Sequence, residues 1–463
     1  MQQKLLAGLL FLVPVAAQAA GLDGAGLSLL WGVPFAAILL SIALFPIVAE
    51  AFWHHHFGKI VAFFTAVFLL PFLSWFGMPA TLELVAHALL TEYFPFLILL
   101  LTLYTLSGGI LLTGRLHATP GLNTRILGLG ALLAPVMGTT GAAMLLIRPL
   151  LRANKGRQHK VHVVVFFIFL VANIGGGLTP LGDPPLFLGF LNGVTFRWTF
   201  WHMLAPVLLA VAVLLLVFYC LDRYYFSKEK PQAPHAPDAP LRLSGRLNLL
   251  LLMLAIAAVL MSGVWKPHVE LTLSGVHLQL QDLVRDGLLL VLTALSLWLT
   301  PRSVRAGNEF NWHPIAEVAK LFIGIFITIA PVIAMLRAGE AGPLASLARL
   351  VTDPSGQPLD PAYFWVTGLL SSFLDNAPTY LVFFNMASGD AHTMMGSLSS
   401  TLQAISMGAV FMGAMTYIGN APNFMVKSIA THHHVKMPSF FGYLGWSCVF
   451  LLPLFVLLSL VFF

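Results

Sequence analysis

The chain has 463 residues, of which 58% are hydrophobic and only 9% are charged, and its formal net charge is +6. A soluble globular domain carries about 25% charged residues, so this composition cannot cover a whole fold with a water-facing surface. Long apolar runs instead predict helices of about 20 residues that span a membrane. A basic balance is typical of membrane proteins with Lys and Arg in their cytoplasmic loops, so the expected surroundings are lipid, with no nucleic acid partner.

The N-terminus has the order of a secretory signal. Lys4 is followed by an apolar stretch over residues 5–16 and then by Ala17-Gln18-Ala19. This pattern predicts a signal peptide over residues 1–20, and a short first helix that is retained is the alternative. Either option places residue 21 and those after it outside the cytoplasm.

Apolar segments in chain order form two groups of six, separated by a polar linker over residues 222–246. The linker contains Pro231, Pro234, Pro237 and Pro240, a density that excludes a membrane helix. The predicted segments are 29–49, 60–76, 95–112, 126–150, 163–190 and 203–221, then 247–265, 286–300, 320–338, 363–388, 402–430 and 441–463.

The two groups resemble each other at one constant offset along the chain, which indicates an internal repeat. We therefore predict repeat 1 over residues 21–221 and repeat 2 over residues 247–463. The identical pairs that this offset aligns are Gly176 with Gly413, Thr179 with Thr416, Gly182 with Gly419, Pro185 with Pro422 and Phe187 with Phe424.

The distribution of charge suggests how the repeats insert. If residues 126–150 and 363–388 form re-entrant hairpins, each repeat crosses the membrane five times and the repeats have opposite orientations. The predicted cytoplasmic loops then hold 18 Lys and Arg and the outer loops five, as the positive-inside rule requires. If these two segments crossed the membrane completely, the basic stretch 148–160 would lie outside the cytoplasm. We predict an all-α polytopic membrane protein with two inverted repeats, each of five transmembrane helices and one hairpin.

Two segments, 163–190 and 402–430, combine glycine, proline and polar residues within apolar sequence. Pro180, Pro184 and Pro185, close to a glycine triplet, are incompatible with a regular helix. Such backbone must line a protein or water-filled cavity, where freed carbonyls can coordinate a cation. Broken helices at corresponding positions of inverted repeats therefore predict a transporter site near the membrane midplane, and a simple kink without a ligand is the alternative.

Two acids, Asp183 and Asp375, lie within these apolar stretches. A carboxylate at membrane depth is costly and predicts a function. Burial raises the proton affinity of such a carboxylate, and a bound cation lowers it. A buried carboxylate can therefore exchange a proton for a metal ion. We predict Asp183 and Asp375 as Na⁺ ligands; capping of a half-helix N-terminus is the alternative for each.

Neighbouring hydroxyl and amide oxygens are hard donors that suit Na⁺ better than a transition metal. No phosphate loop, nucleophile elbow or metalloprotease motif occurs, so we expect neither an enzyme nor a bound cofactor, with Na⁺ and H⁺ as transported or coupling ions. The other predicted ion- or substrate-binding residues are Thr139, Thr140, Asn173, Thr179, Gly182, Asn376, Pro378, Thr379, Thr416, Gly419, Asn420 and Asn423.

The stretch 173–185 resembles the broken-helix motif of the ion transporter superfamily, which includes arsenite permeases, NhaD-type antiporters and citrate transporters. Residues 138–145 and 375–379 resemble its two hairpin tips. The similarity is greatest to the sodium:proton antiporter and citrate transporter branch. It implies that the tips meet the breaks at 179–185 and 416–423, and that a scaffold and a moving domain form part of a homodimer.

The resemblance does not extend to every tip motif. The tips here lack the Ser-Asn-Thr of the dicarboxylate branch, and the first tip lacks the Asn-Asp common in arsenite permeases. Two acids without a clearly central Arg or Lys indicate a cation as the substrate. We therefore predict Na⁺/H⁺ antiport by alternating access in the bacterial inner membrane. The alternative is Na⁺- or H⁺-coupled transport of citrate or another carboxylate; a channel or a non-transporting scaffold would be different classes.

Overall fold

The computed structural model describes residues 22–229 and 239–463, so the predicted signal peptide and residues 230–238 of the linker lie outside the described residues. In the described part, six helices are long and apolar enough to cross a membrane. There are seven if His313–Thr328 and Ala330–Arg337, which meet at a bend of 44°, form one span. The predicted class, a helical multi-pass membrane protein, is confirmed.

The first helices follow the predicted segments. A 3₁₀ turn at Leu29–Gly32 leads into α1 (Val33–Val48), and α2 (Glu50–His87) follows directly. A π-helical turn joins α2 to α3 (Phe94–Gly108). The run has 54 residues from His55 to Gly108, about 81 Å of helix at 1.5 Å per residue, which is enough for two crossings of a bilayer core of about 30 Å.

Gly77 interrupts this run with φ 82° and ψ 170°, a conformation that glycine adopts readily and other residues do not. The interruption falls just after the predicted segment 60–76.

The remaining helices continue in chain order to the end of the chain. They are α4 (Pro120–Met137), α5 (Thr139–Ala153), α6 (Val161–Leu170), α7 (Pro184–Leu191), α8 (Phe196–Phe226), α9 (Leu247–Val264), α10 (Leu280–Leu299), α11 (Arg302–Gly307), α12 (His313–Thr328), α13 (Ala330–Arg337), α14 (Ala345–Ala348), α15 (Asp360–Phe373), α16 (Asn376–Ala387), α17 (Ala391–Met395), α18 (Ser399–Met412), α19 (Ala421–His432) and α20 (Phe440–Phe462).

Two short antiparallel ribbons lie between helices. Strand β1 (Leu111–Arg115) pairs with β2 (Ala239–Ser244), and β3 (Glu270–Leu273) pairs with β4 (Val276–Gln279). The first ribbon ties the end of the predicted linker to the segment after α3. At the start of that linker, α8 continues to Phe226, so it includes Asp222, whose side chain is buried.

The helices that surround the two breaks match each other at the offset of the sequence repeat. Helix α7 packs against α16, and α19 packs against α5, so the helix after each break contacts the hairpin of the other half. That the two repeats have opposite orientations in the membrane stays a prediction. The matching helices are α4 with α15, α5 with α16, α6 with α18, α7 with α19 and α8 with α20.

Helix α6 lies in the middle of the protein. The span of residues that begins with this helix, Val161–Leu178, is 89% buried, far more than the other candidate spans. Its apolar side chains therefore contact protein on all sides instead of lipid. The break that follows α6 is consequently enclosed, as irregular backbone at membrane depth must be.

Candidate functional site

Each predicted hairpin consists of two helices joined by a sharp turn. Helices α4 and α5 meet at Gly138, which has φ 78° and ψ 152° and so requires a glycine. Helices α15 and α16 meet at Leu374 and Asp375, both in extended conformations with negative φ. This difference explains how an acid can occupy the position that glycine has in the first hairpin.

The first broken helix is held tightly against the first hairpin tip. After α6, a 3₁₀ turn (Ile174–Leu178) and an irregular stretch lead to α7, which begins with two prolines. The backbone N–H of Thr139 donates to the carbonyl of Gly182 at 2.9 Å. A Cβ atom on Gly182 would collide with the carbonyl oxygen of Gly176, so only glycine fits at this position.

In each repeat, a threonine hydroxyl of the broken helix donates a hydrogen bond to the neighbouring hairpin. The hydroxyl of Thr179 donates to the carbonyl of Pro135, and the hydroxyl of Thr416 donates to the carbonyl of Ser372, each at 2.5 Å. Thr416 and Ser372 are the residues of the second repeat that correspond to Thr179 and Pro135 in the first. These two threonines therefore bind each break to its own hairpin through their hydroxyl groups.

Asp183 lies at the point where the two halves meet, and its side chain is 2% exposed. Its Oδ1 accepts hydrogen bonds from Thr139 (3.1 Å) and Asn420 (2.9 Å), and its Oδ2 accepts one from Asn376 (2.6 Å). One donor comes from the first half and two come from the second. All three are neutral, so the hydrogen bonds partly solvate the carboxylate without neutralising its charge.

The two acids differ in what their carboxylates contact. Asp183 precedes α7 but makes no side-chain capping hydrogen bond, so the capping alternative does not describe it. Asp375 precedes α16, is partly exposed, and accepts a hydrogen bond from the N–H of Ala377 at 3.1 Å, so it does cap that helix. Both residues line the same cavity.

A chain of amides extends from Asp183 into the protein. Asn420 donates to Oδ1 of Asn173 at 3.2 Å, and Asn173 donates to Oδ1 of Asn423 at 2.7 Å. Asn423 in turn donates to the carbonyls of Gly413 (2.8 Å) and Thr416 (2.9 Å). The three asparagines thus connect the two breaks and fix the orientation of the side chain that contacts Asp183.

Four other predicted residues contribute less directly. Thr140 lines the cavity, whereas the hydroxyl of Thr379 donates to the carbonyl of Asp375 within its own helix, at 2.9 Å. Pro378 lies in the first turn of α16, where a missing N–H removes no helical hydrogen bond. Gly419 allows close packing, because a Cβ atom there would lie 2.7 Å from the carbonyl oxygen of Gly413.

The side chains around Asp183 have the chemistry of a cation or proton site. The oxygen and nitrogen of an Asn side chain are assigned from the hydrogen-bond network, and a half-turn exchanges them. Asn420 keeps its orientation, because its Nδ2 also donates to Asn173 and to the carbonyl of Ala172. A half-turn of Asn376 would direct its Oδ1 toward the same point as the Asp183 carboxylate and the Thr139 hydroxyl. That set consists only of hard oxygen donors, which suit Na⁺, and a proton on Asp183 would equally neutralise its charge.

Asp183, both hairpin tips and parts of α5 and α19 line a cavity of about 730 Å³. Its wall also includes two basic residues, Arg148 on α5 and Lys427 on α19. Small-molecule sites in proteins commonly have volumes of about 300–1,000 Å³. The cavity is therefore large enough for an organic solute together with an ion.

Sequence reasoning did not find the partner of Arg148. The structure pairs Arg148 Nη2 with Oε2 of Glu309 at 2.9 Å, across 161 positions of the chain. It also places Asp222 in a second buried cluster away from the cavity, with Arg157 at 2.6 Å and His162 at 2.8 Å. An acidic residue in a predicted basic loop indicates an ion pair, but the sequence does not show which basic residue is its partner.

Comparison with known proteins identifies the family. Residues 24–463 match the family described as "Putative citrate transport". The chain belongs to this family. Its relatives include uncharacterized transporters of Mycobacterium tuberculosis and Mycobacterium bovis, each 28% identical over 271 residues, which is 56% of this chain. That match spans 57% of each relative's length.

A solved structure, the YdaH transporter of Alcanivorax borkumensis, described as having an unusual topology, is 13% identical to this family member. The match covers 93% of this chain and 97% of that one, with a TM-score of 0.38. A score this low does not establish a shared fold.

The contact of Thr139 with Asp183 gives a first test. Thr139→Val removes the hydroxyl donor but retains the shape of the side chain, and a hydrogen bond to a charged group is worth about 1.5–3 kcal/mol. We expect the apparent affinity for Na⁺ to fall about 10-fold, measured as the Na⁺ concentration that half-saturates uptake or thermal stabilisation. Thr124→Val is the control, because that hydroxyl donates to the backbone of its own helix in the same hairpin. Equal values for the two variants would contradict the assignment.

Proposed function

We propose that the chain is a secondary transporter that moves a small carboxylate of the citrate class, coupled to Na⁺ or H⁺. The observation that carries this proposal is the composition of one cavity. Its wall contains a buried carboxylate with neutral donors, Asp183, and a buried guanidinium, Arg148. The carboxylate can bind a coupling cation, and the guanidinium can bind an anionic solute.

The size of the cavity favours an organic solute over an ion alone. A water molecule occupies about 30 Å³ in the liquid, and a dehydrated Na⁺ needs no more. A volume of about 730 Å³ exceeds that requirement more than tenfold. The sequence argument for a cation as the primary substrate used two acids and the lack of a clearly central Arg or Lys. Arg148 on the cavity wall weakens the second part of that argument.

Membership of a family described as "Putative citrate transport" supports the same substrate class. Both mycobacterial relatives have names that state transport without a substrate. Because the matched region spans 57% of their length, their activity enters only as support for this proposal.

Asp183 is suited to couple the ion to the solute, because its contacts join the two halves. Thr139 is on the first hairpin, whereas Asn376 and Asn420 belong to the second half. Any movement of one hairpin relative to the other changes the ligands around the carboxylate. A ligand shifts a conformational equilibrium only through different affinities for the two states, and a site built from both halves provides that difference.

Na⁺/H⁺ antiport is the second candidate, and the Asp183 site itself favours it. The site contains all the groups that proton-for-Na⁺ exchange requires, and it needs no organic solute. In that case the rest of the cavity is a water-filled path to the ion site. Either candidate places the protein in the bacterial inner membrane with its basic loops in the cytoplasm.

Purified protein in proteoliposomes separates the two candidates. We expect labelled citrate to accumulate when an inward Na⁺ or H⁺ gradient is imposed and to stop when the gradient is collapsed with an ionophore. Liposomes without protein are the control. A pH-sensitive dye inside the vesicles would instead report exchange if Na⁺ alone changed internal pH while no carboxylate entered. That second result would overturn carboxylate transport and support antiport.

A further inference from the structure

Arg148 lies on the helix that begins at the first hairpin tip, nine positions after Thr139. At 1.5 Å per residue this separates the two along α5 by about 13.5 Å, and long helical side chains lean back toward the helix N-terminus. The Arg148 side chain is 8% exposed and lines the cavity that also contains Asp183. The Arg148 side chain therefore lies buried at the wall of this cavity.

Two nitrogens of this buried guanidinium are unused. Its Nη2 donates to Glu309, whereas Nε and Nη1 have no hydrogen-bond partner among the described residues. Buried donors without partners are uncommon in folded proteins and suggest a missing ligand. Because both nitrogens belong to a cation beside a cavity, the matching ligand is an anion whose two oxygens bind one of them together with Nη2.

Glu309 is a weak partner for such a group. Its side chain is 64% exposed, and only one of its oxygens contacts Arg148. Its backbone has φ 49°, in the left-handed region that residues other than glycine rarely adopt. The Arg148 hydrogen bond, more than any other influence, lowers the pKa of Glu309, so this carboxylate is charged near neutral pH.

Glu309 and a solute carboxylate would share one guanidinium and would repel each other. A guanidinium binds a carboxylate through two parallel hydrogen bonds along either its Nε–Nη2 edge or its Nη1–Nη2 edge. Both edges include Nη2, the nitrogen that Glu309 occupies. Because Nη2 carries two N–H groups, one on each edge, Glu309 leaves one edge free, and a solute carboxylate bound there would lie close to the Glu309 charge and be repelled by it.

We propose that Arg148 binds a carboxylate of the transported solute and that Glu309, which shares the same guanidinium, weakens that binding. The inference rests on the proposed function and specifies its substrate site. Lys427 provides a second cationic group on the cavity wall, above the rings of Tyr417 and Phe424. Two separated cations fit a solute with two or three carboxylates better than a monocarboxylate. The other ionisable residues of this wall are Tyr104, Asp183, His313, Glu317, Asp375 and His432.

The test compares uptake of labelled citrate into proteoliposomes by the full-length wild type and three variants. We expect Arg148→Gln to raise the KM for citrate by on the order of 100-fold, the effect of removing one member of a buried charge pair. Glu309→Gln removes only the charge that repels the solute carboxylate and should lower KM about 3- to 10-fold. Arg152→Gln is the matched control, since that exposed residue lies one turn further on the same helix and donates to the Leu112 carbonyl.

Thermal stabilisation by Na⁺ reports whether each variant is folded with an intact Asp183 site, and it should match the wild type in all three. An unchanged KM in Arg148→Gln, or a higher KM in Glu309→Gln, would overturn the inference while the proposed function stands. If the wild type carries no citrate or other carboxylate, the proposed function fails and this inference fails with it. Glu309→Gln is a surface change, so its result does not depend on a variant that folds poorly.

Discussion

Asp183→Asn should reduce gradient-driven citrate uptake about 100-fold or more and leave the protein folded. The substitution retains the shape of the side chain but removes its charge from a site whose described donors, Thr139, Asn376 and Asn420, are all neutral. A bound Na⁺ would then lose its only charged ligand among these four residues. Loss of about 3 kcal/mol, the upper range for a single interaction with a charged group, corresponds to about 100-fold in affinity.

The fold should tolerate this change, because Thr139 and Asn420 can donate to an amide oxygen as they do to a carboxylate oxygen, and a half-turn of Asn376 lets it accept from the new N–H group. The melting temperature in detergent should therefore equal or exceed that of the wild type. Asp390→Asn is the matched control, since Asp390 caps the N–H of Thr393 on an exposed segment and Asn caps a helix equally well. Uptake by Asp183→Asn within about 3-fold of the control would remove Asp183 from the coupling site.

Local sequence chemistry was sufficient to locate the breaks and the tips. Proline and glycine act on the backbone where they occur, so the interruption between α6 and α7 and the turn at Gly138 follow from the residues themselves. The internal repeat extended this information, because the same hydroxyl contacts recur at Thr179 and Thr416.

Contacts between distant segments could not be predicted in the same way. Thr179 and Asn376 are both polar residues in apolar stretches, and the sequence assigned both to the ion site. Only the three-dimensional arrangement separates them, because Thr179 donates to a backbone carbonyl and Asn376 donates to Asp183. The pair between Arg148 and Glu309 is a further example, since either residue alone has several possible partners.

Gly182→Ala should both destabilise the protein and impair transport, because the added methyl group has no space. It would collide with the carbonyl oxygen of Gly176, which is backbone in the same loop and cannot rotate away as a side chain can. Overpacking in a well-packed core commonly costs about 1–3 kcal/mol, and we expect a decrease in the free energy of unfolding of at least about 2 kcal/mol. The measurement is the melting temperature together with citrate uptake per folded protein.

Gly182→Ala should impair transport because it displaces the loop that contacts the first hairpin tip. The carbonyl of Gly182 accepts the N–H of Thr139, so a shift of this loop moves the hairpin tip and also the adjacent Asp183 relative to its donors. Gly445→Ala is the control, because a Cβ atom on Gly445 meets nothing within 4 Å and alanine favours a helix by about 0.8–1 kcal/mol. If Gly182→Ala kept the melting temperature and uptake of this control, the loop would be loose enough to move. The contact between tip and break would then not hold Asp183 in place, and coupling would have to depend on the Asn376 and Asn420 contacts alone.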